Sequence, residues 1–394
     1  MSKGILWLAV TPTSYNNFLW DSVWERCPGS LKVIFAASGA PDGTWPEPNP
    51  LPSWWGGYYG RGMPNLRTIR DLLRSRAALT VVAGWDNWTR RIALLVLFLL
   101  RKRYVIWTDG GSSDPMRHSG ATAKHGLRNL AVRLLAARAI GIMGAGKMAV
   151  NSLRGMGIRS GKIINFPYFV RLPNGVKAGR KSARGVRFCC VGRLVPYKNF
   201  ACAIRALALI PEDPAGLDII GSGPELATLR RVAREADVDE KVRFMGFLDS
   251  ASVAGYFREE GDCLIHPAGG IEPFGVVIAE AMANGLPVIA SDLCGAAVDR
   301  ICDGENGFLL PAPVDVKSLA ERMREFVTSP EKIAIMGTAA RQTAEEWPVE
   351  RGLQILNRLA SGLCSESGAN GSIALQTGAS AGRVKKGAGE TSVS

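Results

Sequence analysis

The sequence predicts an α/β protein of two domains, the second a Rossmann-like parallel sheet. Three observations carry that prediction. The 394 residues exceed a typical single core. Short apolar strands alternate with helical stretches, the pattern of a parallel sheet. Residues 171–185 turn to Pro, Gly, Lys and Arg without an apolar period, which reads as an interdomain linker. The expected organisation is a first domain over 1–170, the linker over 171–185, a second domain over 186–346, a helix within 347–361 packing back on the first domain, and a tail over 362–394. That tail is Ser, Gly, Ala and Thr with few large apolar residues, so it is expected to be disordered and is assigned no chemistry.

In the first half, Ile5 to Val10 reads as a strand, followed by a polar loop over Thr11–Asn17 at a strand C-terminus. Leu31 to Ala37 is a second strand. Residues 41–64 have little periodicity and crowd Trp45, Trp54, Trp55, Tyr58 and Tyr59 among Pro and Gly. They read as an aromatic-packed loop, with a carbohydrate or lipid contact surface as the alternative. Leu79 to Trp85 and Tyr104 to Asp109 are buried parallel strands. The helix between them contains Ile92–Leu100, with Arg90 and Arg91 before it and Arg101, Lys102 and Arg103 after it. A buried crossover is one reading; a helix resting on an anionic membrane surface is the other. Leu127 to Arg138 is a helix, Ala139 to Gly144 a strand, 147–157 a short helix, and Lys162 onward a strand and loop leaving the domain.

The second half alternates more cleanly. Strands at Val186–Val191, Leu217–Ile220, Val242–Gly246, Cys263–His266 and Pro287–Ala290 are separated by helices near 199–209, 224–236, 250–258 and 275–284. Three further helices follow in 315–328, 330–346 and 348–360.

The net charge of +13 is uneven. Residues 1–180 hold 25 Lys and Arg against 8 Asp and Glu, a balance of +17, whereas 181–394 hold 23 against 27. The first half should therefore meet something anionic, such as a phospholipid surface, a phosphorylated acceptor or nucleic acid. The eight Cys form no CxxC pair or regular framework and are expected as buried free thiols in a reducing compartment. The apolar run at Ile5–Val10 is short for a signal peptide, and Ile92–Leu100 falls well below the roughly 20 residues of a membrane span. Three His give no ligand cluster, and Asp237-Val238-Asp239 lies between a helix and a strand, so no metal site is read.

Glu272-Pro273-Phe274-Gly275 and Glu280 form the central chemical feature. Read as one helical run, the two acids share a face about 12 Å apart along the axis. The Gly would let a ligand approach unpaired N–H groups at the positive helix end, which favour phosphate. Arg193 and Lys198 follow the first strand of the second domain, where two cations suit a diphosphate. Gly221-Ser222-Gly223-Pro224-Glu225 is a turn after the next strand.

Taken in order, Gly192-Arg193-Leu194 with Lys198, Gly221 to Glu225, Val242 to Gly246, His266-Pro267-Ala268, Glu272 to Glu280, Gly285 to Ser291 and Asp303 to Phe308 resemble the retaining glycosyltransferases of family 4, with the GT-B fold. The resemblance covers about residues 186–330. It implies two Rossmann-like domains facing each other across a cleft, with a nucleotide-sugar donor, UDP- or GDP-linked, on the second and a saccharide or lipid-linked acceptor on the first. Arg193 and Lys198 would bind the diphosphate, Glu272 the transferred sugar, and Glu280 the ribose. Gly192, Gly221, Gly246, Phe247, Phe274, Gly275 and Val276 would line the donor. The first half departs from the family, with Thr11–Asn17 where relatives carry a Gly-rich loop. Relatives place a His near the transferred sugar, so Asp109, at a strand end before Gly110-Gly111, and His118 are the candidate catalytic residues of this half; His125 follows.

The expected protein is a metal-independent hexosyltransferase without a cofactor, acting in polysaccharide or glycolipid synthesis. Its expected place is the cytoplasm, with peripheral contact to an anionic membrane. A nucleotide-sugar or phosphate-binding protein without turnover is the alternative. Nucleic acid is not expected as a partner, because no recognition motif accompanies the basic charge.

Overall fold

The computed structural model describes residues 4–37, 50–60, 65–110, 123–176, 185–210 and 215–361, with the backbone alone for 123–128. The first domain runs β1 (Ile5–Ala9), α1 (Ser14–Arg26), β2 (Leu31–Phe35), β3 (Trp55–Tyr58), α2 (Leu66–Arg74), β4 (Leu79–Ala83), α3 (Trp88–Leu99), β5 (Tyr104–Thr108), α4 (Ala123–Arg138), β6 (Gly141–Gly144), α5 (Gly146–Gly155) and β7 (Ile163–Asn165). Its seven parallel strands lie in the order β3-β2-β1-β4-β5-β6-β7. Because side chains alternate across a strand, Ile5, Trp7 and Ala9 enter one apolar cluster while Leu6 and Leu8 enter another on the opposite face. That two-sided burial is why β1, β4 and β5 are written as unbroken apolar runs.

The second domain runs β8 (Val186–Val191), α6 (Phe200–Ala208), β9 (Ala215–Ile220), α7 (Leu226–Glu235), β10 (Val242–Gly246), α8 (Ser250–Glu259), β11 (Cys263–His266), α9 (Val276–Ala283), β12 (Val288–Ser291), α10 (Gly295–Arg300), β13 (Gly307–Leu310), α11 (Val316–Thr328) and α12 (Glu331–Glu345). Its parallel order is β10-β9-β8-β11-β12-β13. The last described helix, α13 (Val349–Leu359), places Leu353 and Leu356 in the first domain's core. Both sheets reverse strand order once, between β1 and β4 and between β8 and β11. Those reversals open crevices at the strand C-termini, where ligands of such sheets bind.

Several expectations are corrected. Thr11–Asn17 is a loop only through Thr13, whose hydroxyl accepts the Asn16 N–H as the N-cap of α1. Residues 55–58 add an edge strand to the region expected to be irregular. Two of the four described aromatics there are internal, as an aromatic-packed segment requires, while Trp55 is half-buried and Tyr58 exposed: Trp54 and Tyr59 are buried, Trp54 Nε1–H donates to Asp21 at 2.9 Å, and Tyr59 O–H donates to the Ala9 carbonyl at 2.8 Å. Trp45 lies outside the described residues. Of the cysteines, Cys27 is disulfide-bonded and Cys302 is an exposed free thiol; Cys189, Cys190, Cys202, Cys263 and Cys294 are buried and free.

The basic residues flanking α3 are largely spent on the fold. Arg90 is buried and bonds the Ala83 carbonyl and Asp86. Lys102 Nζ donates to the carbonyls of Leu72, Leu73 and Ser75, closing the C-terminal end of α2, and Arg103 reaches Leu359 and Ser361 after α13. No described helix is long and apolar enough to cross a membrane.

Candidate functional site

Three loops at the C-terminal edge of the second sheet are stacked backbone on backbone. The Leu194 N–H donates to the Ser222 carbonyl at 2.9 Å, and the Gly221 N–H donates to the Gly246 carbonyl at 2.7 Å. Gly221 and Gly223 hold φ of 143° and 156°, and a Cβ on either would strike the carbonyl oxygen of Gly192 or Leu194. Past this stack, a 3-10 turn over Pro196–Lys198 carries Lys198 inward until it is buried, while Arg193 stays exposed.

Lys198 meets Glu272, but not on a helix. The helix begins at Val276, with Gly275 as its left-handed N-cap at φ 78°, so the single helical run from Glu272 to Glu280 is corrected. Glu272 instead bridges Cys294 in a short parallel pairing; its N–H donates to Leu293 at 2.9 Å, and its carbonyl accepts from Gly295 at 3.0 Å. The Phe274 carbonyl accepts from Ala296, and a Cβ on Gly275 would strike Cys294 Sγ. These contacts fix the carboxylate. Lys198 Nζ donates to both its oxygens, at 2.6 Å to Oε1, and His266 Nε2 lies 2.9 Å from Oε2.

The electrostatics of this trio are consistent. Burial opposes ionisation of Glu272, but the hydrogen bond from His266 and the Lys198 ammonium hold its pKa at about 2. Burial, and then Lys198, push His266 below its ordinary value, so at neutral pH it is the uncharged imidazole donating through Nε2. Among the described residues its buried Nδ1 has no partner.

Glu280 lies about one turn into α9, on the interdomain side. It lines a cleft of about 740 Å3 with Tyr15 and Asn17 of α1, Arg171 of the domain crossing, Arg258 of α8 and Asn284. Burial raises its pKa to about 7. Gly246 and the exposed Phe247 stand where β10 leads toward α8. The first N–H groups of α9, beginning at Val276, have no intrahelical partner and mark its positive end. Phe274 is buried, with its ring 5.2 Å from Tyr168 of the first domain.

The structure thus brings Lys198, Glu272 and Gly275 together, with Gly192 beside Lys198 and Gly221 beneath it as packing. Asp109 is exposed at the end of β5, in a first-domain pocket. His118 and the side chain of His125 lie outside the described residues. Asp237 and Asp239 have local roles: Asp237 follows α7 in a left-handed conformation and Asp239 opens a 3-10 turn. No cluster of metal-binding side chains occurs among the described residues. His266 and Tyr15 were missed as site residues; the signal for His266 was its place at a strand end six residues before Glu272.

Residues 177–343 match the family described as Glycosyl transferases group 1. An exopolysaccharide phosphotransferase of Streptomyces coelicolor is 32% identical over 169 residues, 41% of this chain and 17% of that protein. A GDP-mannose-dependent monoacylated alpha-(1-6)-phosphatidylinositol monomannoside mannosyltransferase of Corynebacterium glutamicum is 33% identical over 210 residues, 47% of this chain and 54% of that protein. The chain thus spans about half or less of the length of these curated relatives. Among solved structures, HepE of Anabaena in complex with UDP aligns with a TM-score of 0.70 at 20% identity, over 91% of this chain and 100% of that one. That likeness shows the fold, GT-B.

Proposed function

Since residues 177–343 belong to the glycosyl transferases group 1 family on a GT-B fold, we propose that the chain is a retaining, metal-independent glycosyltransferase. It moves a sugar from a UDP- or GDP-linked donor to a saccharide or lipid-linked acceptor, in polysaccharide or glycolipid synthesis. The observation that carries this reading is the buried Lys198–Glu272 pair in front of the open end of α9, with Glu280 facing the cleft.

In this reading the donor's diphosphate takes Lys198 and Arg193, and the α9 N–H groups share its charge. Glu272 then turns its acceptor oxygens to the hydroxyls of the transferred sugar, held in place by His266. Glu280 receives the ribose hydroxyls. As the glycosidic bond breaks, charge grows on the leaving diphosphate, where the two cations act more strongly than in the ground state. The leaving phosphate oxygen takes the acceptor's proton on the same face, which retains configuration without a protein nucleophile or a metal.

A membrane contact through the first domain is part of the proposal. Leu95 and Leu99 of α3 and Leu130 and Leu134 of α4 are exposed on helices that pack side by side. Arg133 of α4 and Arg101, just past the end of α3, are exposed. An apolar face edged with basic residues suits an anionic lipid surface.

Thermal melts against a panel of UDP- and GDP-sugars test the donor reading: one donor at 100 times its Kd should stabilise by about 2.7 kcal/mol. With that donor, Arg193→Ala and Lys198→Ala should each lower kcat/KM at least about tenfold, or 1.4 kcal/mol. Arg193 is exposed, so its variant separates chemistry from folding. Full turnover in both variants would remove the assignment.

A further inference from the structure

Helices α5 and α10 pack together across the domain boundary and cap each other. Helix α5 of the first domain starts at Gly146 with Ala145 at its N-cap position, so no side chain of its own segment closes it. The acceptor comes from the other domain. Asp299, near the C-terminal end of α10, takes the Lys147 N–H on Oδ1 at 2.8 Å, the bond a capping Asp makes to the second residue of a helix. In return, Lys147 Nζ donates to the Val298 and Asp299 carbonyls at 3.4 and 3.2 Å, where α10 runs out of intrahelical donors. A carboxylate thus meets the positive end of one helix, and an ammonium the negative end of the other. Gly146 permits the approach: its φ is 89°, and a Cβ there would strike Asp299 Oδ2 and crowd the Phe274 ring.

Each side of this joint reaches a different wall of the cleft. In the first domain, the Ala145 N–H donates to the Thr108 carbonyl at 2.9 Å, one residue before Asp109. In the second, the N–H groups of Gly295 and Ala296 at the start of α10 donate to the Glu272 and Phe274 carbonyls. Stability alone is a poor account of the joint, because Asp299 Oδ2 is buried without a hydrogen-bond partner among the described residues. We propose that Asp299 is a positioning residue: by capping α5 it sets the Glu272 loop in register with the first-domain edge at Thr108. The inference rests on the transferase reading only in its kinetic consequence, since the sugar at Glu272 and a group held by the first domain must meet at a fixed distance.

Hydrogen–deuterium exchange on the full chain tests the joint without turnover. Asp299→Ala should speed exchange about fivefold at the start of α5 and in the Glu272 loop, with the rest of the second domain unchanged. Asp299→Asn, which keeps an acceptor for the Lys147 N–H, should restore protection. Gly146→Ala, which leaves the carboxylate in the chain but forces it away, should loosen the same two segments. With a nucleotide-sugar that is turned over, Asp299→Ala should lower kcat about tenfold at unchanged nucleotide affinity, and Asp299→Asn should recover it. Unchanged exchange at both segments in Asp299→Ala, or an Asp299→Asn variant as loose as Asp299→Ala, would overturn the inference. So would loosened segments with an unaltered kcat, because the joint would then be structural only. If the exchange results hold but the unmodified chain turns over no nucleotide-sugar, the transferase reading fails and the joint stands.

Discussion

Glu280 puts a pH dependence into the second domain. Its folded pKa of about 7 stands above the ordinary glutamate value of 4.5 because burial disfavours the carboxylate. Between those values the folded chain holds more protons than the unfolded chain, so this residue's contribution to stability is lost as pH rises from about 4.5 through about 7. Glu280→Gln should therefore leave Tm unchanged near pH 4.5 and raise it at pH 8, by about 2–4 °C per kcal/mol recovered. The same variant should bind the nucleotide less tightly at pH 8, because an ionised carboxylate is the better acceptor for ribose hydroxyls. Equal melting curves at both pH values would remove burial as the cause. At this scale the sequence was informative where chemistry sits on a motif, as with Lys198, Glu272 and Glu280. It was silent on Tyr15, which gains its place only when α1 meets the second domain.

At the scale of elements, the loop stack beneath Lys198 is held by glycines lacking room for a side chain. Gly221→Ala places a methyl on the Gly192 carbonyl at a positive φ, a strain on the order of 1–3 kcal/mol before the collision is counted. Thermal melting should show a loss of that size or more, and an unchanged Tm would mean that the loops are not stacked this way. Most strands buried on both faces were legible as apolar runs, whereas α1, α2, β3, α10 and β13 were not anticipated. In α1 the Tyr, Asn and Ser content hides an apolar stripe limited to Leu19, Trp20 and Val23. Strand β3 is a four-residue edge containing two glycines, recognisable only by its pairing with β2. The helical spacing from Glu272 to Glu280 misled for a related reason, since a left-handed Gly275 divides loop from helix and leaves the residue count untouched.

Across the whole molecule, the uneven charge and the exposed leucines of α3 and α4 meet in one prediction. The chain should sediment with anionic phosphatidylglycerol vesicles and not with zwitterionic ones, with binding falling as salt rises. Leu95→Glu with Leu99→Glu should abolish sedimentation without lowering Tm, since both side chains are exposed. Vesicle binding that survives the double variant would place the contact elsewhere. The chain also passes between the domains twice. Phe169 joins the first core and Val170 the second; later, Ala344 belongs to the second and Leu353 to the first. Both passages lie against Arg300, whose guanidinium bonds the Tyr168 carbonyl at 3.3 Å and stacks 5.6 Å over Trp347. Two passages side by side act as a fulcrum. Any swing of one domain against the other pivots there, and Phe274, resting on Tyr168, keeps the Glu272 loop on the pivot while the outer lips of the cleft travel farthest.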